Sequence, residues 1–197
     1  STPHSQHYAQ ARLALERDCH VLIEKPLTIR SGHTKALLEL ARKKKRILEV
    51  SYQRNFSAIY RHARDLVTSG AIGSINAVDC YVTQNWRSVG GWRLVPELSG
   101  GGMFMDTGSH LVAATLFVSG LRCKRVTALV DHLDLKVDLL VAAAIEFENS
   151  AIGTLMTTGA AKRHDEVFSL HGDQGCLVIR QHKWQVREFL LNDEPVQ

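Results

Sequence analysis

Two short apolar runs near the start of the chain, His20-Val21-Leu22-Ile23 and Ile47-Leu48-Glu49-Val50, limit its fold more than any other feature. Each follows a stretch of helical periodicity. Tyr8, Ala11, Ala14 and Leu15 recur before the first run, and Leu37, Leu38 and Ala41 before the second. Ser31 stands where a helix wants its N-cap. The first fifty residues therefore read α-β-α-β, the rhythm of a parallel sheet covered by helices. Strands in such sheets bury both faces, and two of them are too few to stand alone. The missing strands are expected ahead of Ser1.

From residue 53 the rhythm changes. Ser57 can cap a helix carrying Ile59, Ala63, Leu66 and Val67, which ends at Gly70-Ala71-Ile72-Gly73. A strand follows through Val78, Cys80 and Val82. The segment Ser99-Gly100-Gly101-Gly102 then leads into a helix expected from about 105 to 119. Beyond Gly120, strands are predicted near 123–131, 137–148, 151–158, 165–171 and 176–180. Neighbouring strands after helices predict an α+β unit over 53–197 with an open, mainly antiparallel sheet. In 137–147, Val137, Leu139, Val141, Ala143, Ile145 and Phe147 share one face, while Leu140, Ala142 and Ala144 make the other apolar too. A second apolar face predicts a homo-oligomer through the open sheet.

Charge narrows the partners. Lys plus Arg number 24 against 20 Asp plus Glu, a net charge of +4. The dense run Lys43-Lys44-Lys45-Arg46 closes a predicted helix, where cations complement the macrodipole, and no aromatic interleaving accompanies it. No nucleic-acid partner is expected. Apolar stretches such as 139–145 fall well short of the roughly 20 residues that span a bilayer, so no membrane partner is expected either. Cys19, Cys80, Cys123 and Cys176 form no C-x-x-C pair, which speaks against a thiolate metal site and for a cytoplasmic setting.

Chemistry concentrates in a few segments. Asp106 and His110 are four apart, so on an α-helix they share a face, and a carboxylate there can orient an imidazole acting as general base. The same spacing fits a capping Asp106 with a core His110, or a metal pair lacking a third ligand. Glu24-Lys25-Pro26 lies at the C-terminal end of the first predicted strand, where open α/β sheets bind ligands. Lys25 there can donate to a substrate oxygen. Thr2-Pro3 and His7 open the first helix, whose amide donors can face a polar ligand. Trp86-Arg87 and Trp92-Arg93 combine ring faces with guanidinium groups, a pairing suited to a polyol or phosphate.

Taken together and in order, these segments resemble the Gfo/Idh/MocA family of NAD(P)-dependent oxidoreductases. The likeness runs through Thr2-Pro3 and His7, the segment from His20 to Leu27, Tyr52-Gln53-Arg54-Asn55-Phe56, Ser69 to Gly73, Ser99 to Gly102 with Asp106 and His110, and Phe147 to Gly153. It implies a Rossmann-type remnant over 1–52 and a substrate-binding and oligomerisation domain over 53–197. It also implies NAD or NADP as cofactor, a sugar, inositol or related polyol as substrate, and Lys25, Asp106 and His110 as the catalytic group. By the resemblance His110 takes the hydroxyl proton, Asp106 orients His110, and Lys25 polarises the oxygen. Thr2, Pro3, His7, Glu24, Lys25, Pro26 and Arg54 are implied near the cofactor. Trp86 and Arg93, with the catalytic three, are implied at the substrate; no metal is expected.

Two departures stand out. Ala113 replaces an aspartate that often follows the family's histidine. No G-x-G-x-x-G, the turn that admits a pyrophosphate, occurs among the 14 glycines. The reading is then a piece of a roughly 350-residue enzyme, inactive alone and missing most of its cofactor site. The alternative is an oligomerisation module without cofactor binding.

Overall fold

The computed structural model describes residues 2–196. The N-terminal unit is α1 (His4–Glu16), β1 (Val21–Ile23), α2 (Ser31–Lys44) and β2 (Leu48–Val50). β1 and β2 pair in parallel, Val21 opposite Leu48 and Ile23 opposite Val50. Ala11 and Leu15 of α1, Leu37 and Ala41 of α2 and Val21 form one small core. The alternate residue of β1, Leu22, points away from that core and is exposed. The basic run does more than close α2: Lys44 pairs with Asp18 at 3.2 Å, and Arg46 donates to the Asp18 carbonyl at 2.6 Å. These bonds fasten the end of α2 to the turn after α1.

The second unit is built on α3 (Ala58–Thr68), β3 (Ile75–Asn85), the four-residue turn α4 (Pro96–Ser99), α5 (Ser109–Ser119), and strands β4 (Cys123–Asp131), β5 (Leu140–Phe147), β6 (Ile152–Thr158), β7 (Ala160–Gly172), β8 (Cys176–His182), β9 (Gln185–Leu191) and β10 (Glu194–Pro195). The strands form one sheet in the order β10-β9-β8-β7-β3-β6-β5-β4. Every pair is antiparallel except β3–β6. Alternate residues of the central strands, Val78, Cys80, Val82, Leu155, Phe168 and Leu170, pack with Tyr60, Ala63, Leu111, Ala114 and Val118 of α3 and α5. The layer is thus helix on one sheet face, with the other face open.

That open face is mixed in character. It carries Leu129, Ala142 and Met156 in one row, but Thr127, Ala144 and Thr154 in the next, with Thr154 bonded to Asp79, and the Arg125–Glu146 pair beyond. Edge strand β4 is exposed along its length, Leu129 reaching 79%.

Three expectations change. The helix foreseen from 105 to 119 is two pieces: a π-helical turn, Phe104–Gly108, followed by α5. β7 begins at Ala160, not 165, with an irregularity opposite Gln84. β9 and β10 lie where no strand was predicted, because the turn between β8 and β9 is Lys183-Trp184, which carries none of the usual turn residues.

Candidate active site

The site forms where the C-terminal ends of β1 and β2 meet the turn before α5. β1 runs into Glu24-Lys25-Pro26, whose Lys25-Pro26 peptide bond is cis. The Pro26 carbonyl accepts a hydrogen bond from His7 Nδ1 at 2.8 Å, so α1 holds this loop from behind. β2 runs into Tyr52, whose ring meets the His110 ring edge-on with centroids 5.9 Å apart.

Opposite lies the glycine segment. Gly100 has φ +78°, and a side chain there would run into Ile29; one on Gly102 would collide with the Asp138 backbone. That close approach lets Asp138 cap the turn. Its carboxylate accepts from the amides of Gly102 at 2.5 Å and Phe104 at 2.7 Å, while its carbonyl accepts from Met103 at 2.9 Å. These amides begin the π turn, and a helix start needs such acceptors.

The π turn sets the position of Asp106. Lys25 Nζ approaches Asp106 Oδ1 to 2.5 Å and its carbonyl to 2.8 Å. Arg93 Nε lies 3.3 Å from Oδ2, Trp86 Nε1 donates to Oδ2 at 3.4 Å, and His4 Nε2 stands 3.8 Å from Oδ1. Burial pushes the Asp106 carboxyl up, but Lys25, then Arg93 and His4, outweigh it and hold it below the usual carboxylate range. Burial, then the charges of Lys25 and Arg54, push the His110 imidazole down to about 3, so it is neutral at pH 7. Its Nδ1 is buried without a hydrogen-bond partner among the described residues.

The sequence matches the model of the GFO/IDH/MocA C-terminal domain over residues 60–178, and that of the oxidoreductase-family NAD-binding Rossmann fold over 1–52. The chain belongs to the GFO/IDH/MocA family. Among its relatives is a dTDP-3,4-didehydro-2,6-dideoxy-alpha-D-glucose 3-reductase of Streptomyces violaceoruber, 29% identical over 178 residues, 90% of this chain and 52% of that protein. D-glucoside 3-dehydrogenase of Escherichia coli is 31% identical over 121 residues, 60% of this chain and 34% of that one. The chain thus spans about half, or less, of the length of these curated relatives. In fold it is similar to the aldose-aldose oxidoreductase of Caulobacter crescentus complexed with glycerol, with TM-score 0.88, 24% identity, and 99% of this chain over 60% of that one. An inositol dehydrogenase homolog from Azotobacter vinelandii complexed with NAD+ gives TM-score 0.85 at 22% identity, covering 97% of this chain and 55% of that one.

Members of the GFO/IDH/MocA family are oxidoreductases, and the N-terminal unit is that family's NAD-binding Rossmann fold. In this member the residues present fit the nicotinamide end of such a cofactor. Both parallel strands deliver their C-terminal ends to one crevice, and the orphaned His110 Nδ1 marks a polar atom that a bound group can satisfy. Gly32, inside α2, is the one glycine in residues 1–52, so this stretch holds no glycine turn for a pyrophosphate.

The residues singled out from the sequence fare differently. Lys25, Asp106 and His110 converge, but Asp106 does not bond His110. The i,i+4 face rule assumes α geometry, and the π turn rotates Asp106 away, onto Lys25. The role expected of Asp106, orienting the imidazole, is corrected to anchoring the lysine. Arg54, expected near the cofactor, is buried; its Nη2 pairs with Glu166 at 2.5 Å, Tyr60 donates to the same carboxylate at 3.2 Å, and the Arg54 Nη1 is buried with no hydrogen-bond partner among the described residues. Trp86, expected against substrate, is fully buried and reaches Asp106 instead; Arg93 is half-exposed beside it. His7 is buried, its Nδ1 holding the Pro26 carbonyl. Glu24 is exposed, Pro26 buried, and Thr2 and Pro3 lie at the mouth of α1. His4 and Asp138 were not found from sequence. His4 sits one residue past Pro3 and looked like ordinary helix start, and Asp138 lies 36 residues from the amide it caps.

A pH consequence follows. An unfolded histidine takes its proton near pH 6.5, whereas His110 in the fold waits until about 3. Between those values the unfolded chain binds the extra proton, so stability is complete above pH 6.5 and falls as pH drops toward 3. The slope is about 1.4 kcal/mol per pH unit for one such group. His4, lowered chiefly by burial, adds in the same direction. Denaturant titrations of wild type and His110→Gln between pH 4 and 7 are expected to differ in slope by about one proton; parallel slopes would contradict a neutral buried His110.

Proposed function

We propose that this chain serves a nicotinamide-dependent oxidoreductase acting on a hydroxyl or carbonyl carbon of a sugar, inositol or related polyol. The observation that carries the reading is the part-buried Lys25–Asp106 pair, side chains 16% and 13% exposed, lodged at the strand ends beside a neutral His110. Bound nicotinamide supplies the hydride acceptor. Lys25 donates to the substrate oxygen, Asp106 fixes Lys25 in place, and His110, uncharged, is in the form that accepts the hydroxyl proton. In the reverse direction His110 returns that proton to the carbonyl oxygen. The activities of two relatives, a dTDP-sugar 3-reductase and a glucoside 3-dehydrogenase, support a carbohydrate substrate. In this reading residues 1–52 serve the cofactor, and 53–197 serve the substrate and self-association through the open sheet face; the family-model matches over 1–52 and 60–178 support that division.

The test is nicotinamide reduction, followed by absorbance, by the complete gene product with a panel of sugars, glucosides and inositols. His110→Gln is expected to lower kcat by roughly 10²–10⁴-fold while leaving cofactor affinity within a few-fold. Retained turnover would refute the base assignment. These 197 residues alone are expected to bind NAD+ no tighter than about 1 mM, since no glycine turn cradles a pyrophosphate in them. A micromolar isotherm from calorimetry would overturn that.

A further inference from the structure

The π turn that carries Asp106 has no side-chain cap from its own N-terminal residue, Met103. Its opening amides are met from elsewhere in the chain. Those of Gly102 and Phe104 end on the Asp138 carboxylate, and that of Met103, between them, ends on the Asp138 carbonyl. A hydroxyl or amide side chain could not serve all three, since it offers one acceptor atom in place of two.

Asp138 is itself firmly set. It stands just before β5, between Val137 and Leu139, both buried in the sheet core. The Leu139 amide donates to the Asp131 carbonyl at 3.0 Å, and the Leu139 carbonyl accepts from Gly159 at 2.7 Å. From this fixed point hydrogen bonds run in series to the reacting groups. Gly102 gives its amide to Asp138 and its carbonyl to the Asp106 amide at 3.0 Å, and Asp106 grips Lys25 through both its carboxylate and its carbonyl. The series leaves no slack at Gly102, where a Cβ would lie 2.0 Å from the Asp138 carbonyl oxygen.

We propose that Asp138 is a positioning residue for the reaction: by clamping the start of the π turn it sets where Asp106 stands, and through Asp106 where Lys25 presents its ammonium beside His110. Its effect on turnover rests on the oxidoreductase reading; its hold on the Lys25–Asp106 pair does not. A shift of about 1 Å in a reacting group costs on the order of 10²-fold in rate, so a clamp of this kind reaches the chemistry without touching it.

The test compares Asp138→Asn, which keeps the shape and one side-chain acceptor, with Asp138→Leu, which keeps the bulk and neither acceptor. In the complete gene product kcat is expected to fall by about tenfold and about 10²-fold respectively, with the polyol KM and the NAD+ affinity within about threefold of wild type. A residue that only held the fold together would lower the melting point and leave the kcat of the folded enzyme unchanged. If the Leu variant does not fold, the Asn variant decides. Independently of turnover, 13C NMR follows the Asp106 carboxyl in this chain, its resonance assigned with Asp106→Asn. The charges around that carboxyl are Lys25, Arg93 and His4, and Lys25 pulls hardest. Wild type is expected to titrate below the usual aspartate range, and the Asp138 variants to move up toward it as Lys25 loses its hold. Wild-type kcat in the folded variants, a kcat loss matched by an equal loss of NAD+ affinity, or an unmoved Asp106 titration would each overturn the proposal. An unmoved titration with nicotinamide reduction retained would leave the oxidoreductase reading standing.

Discussion

Arg54→Met is expected to lower stability by about 3–5 kcal/mol at pH 7, because it leaves the Glu166 carboxylate inside the sheet domain without its partner. For a chain of this size that is a fall in melting point of roughly 10 °C. Burial already pushes the Glu166 carboxyl up, against the pull of Arg54 and the Tyr60 hydroxyl. Without Arg54 it rises further and takes a proton in the fold before it would in the unfolded chain. A carboxyl with a raised native pKa favours the folded state as pH falls, so the deficit of the variant is largest near pH 8 and shrinks toward pH 5. Thermal melts across that range check this. The partner substitution, Arg54→Met with Glu166→Leu, is expected to recover most of the loss, since a buried ion pair contributes little over a well-packed apolar pair. If the single variant melts like wild type at pH 7, the pair is not a buried, ionised contact.

Lys25→Met is expected to abolish turnover in the complete enzyme, by about 10³-fold, with a much smaller effect on folding. The substitution keeps the length of the side chain but removes the ammonium that grips the Asp106 carboxylate and carbonyl. Lys25 contributes the largest downward pull on the Asp106 carboxyl, so its loss lets that pKa rise. Lys25→Arg is expected to rescue little, because a planar fork cannot take the place of a compact ammonium in a part-buried slot. Steady-state rates at pH 7 to 9 check both, and activity within tenfold of wild type in the Met variant would remove Lys25 from the chemistry.

Much of this site was legible from residues that act through periodicity and order. The α-β-α-β rhythm placed Lys25 at a strand end, and the apolar alternation of residues 137–147 marked the buried face of β5. What escaped were features of backbone geometry. A π turn has no residue signature, so Asp106 looked like a partner for His110, and the lysine that holds it is 81 residues away. The Glu166 that pairs with Arg54 lies 112 residues further on, so the ion pair itself could not be read from the sequence. β9 was hidden behind a hairpin turn whose residues contradict its shape. Each miss belongs to a contact or a dihedral that only the assembled sheet creates.

The sheet order carries a kinetic consequence. β3, at the centre, is among the first strands of its unit to be made, yet its neighbours are β6 and β7, and Ile75 finds Gly172 only after four further strands have been threaded. Its amides and the greasy sides of α3 and α5 therefore stay uncovered through most of synthesis. Closing loops of that length before any contact repays the cost in entropy makes for slow assembly, in milliseconds to seconds, and for a long window in which a chaperone or another nascent chain can capture β3.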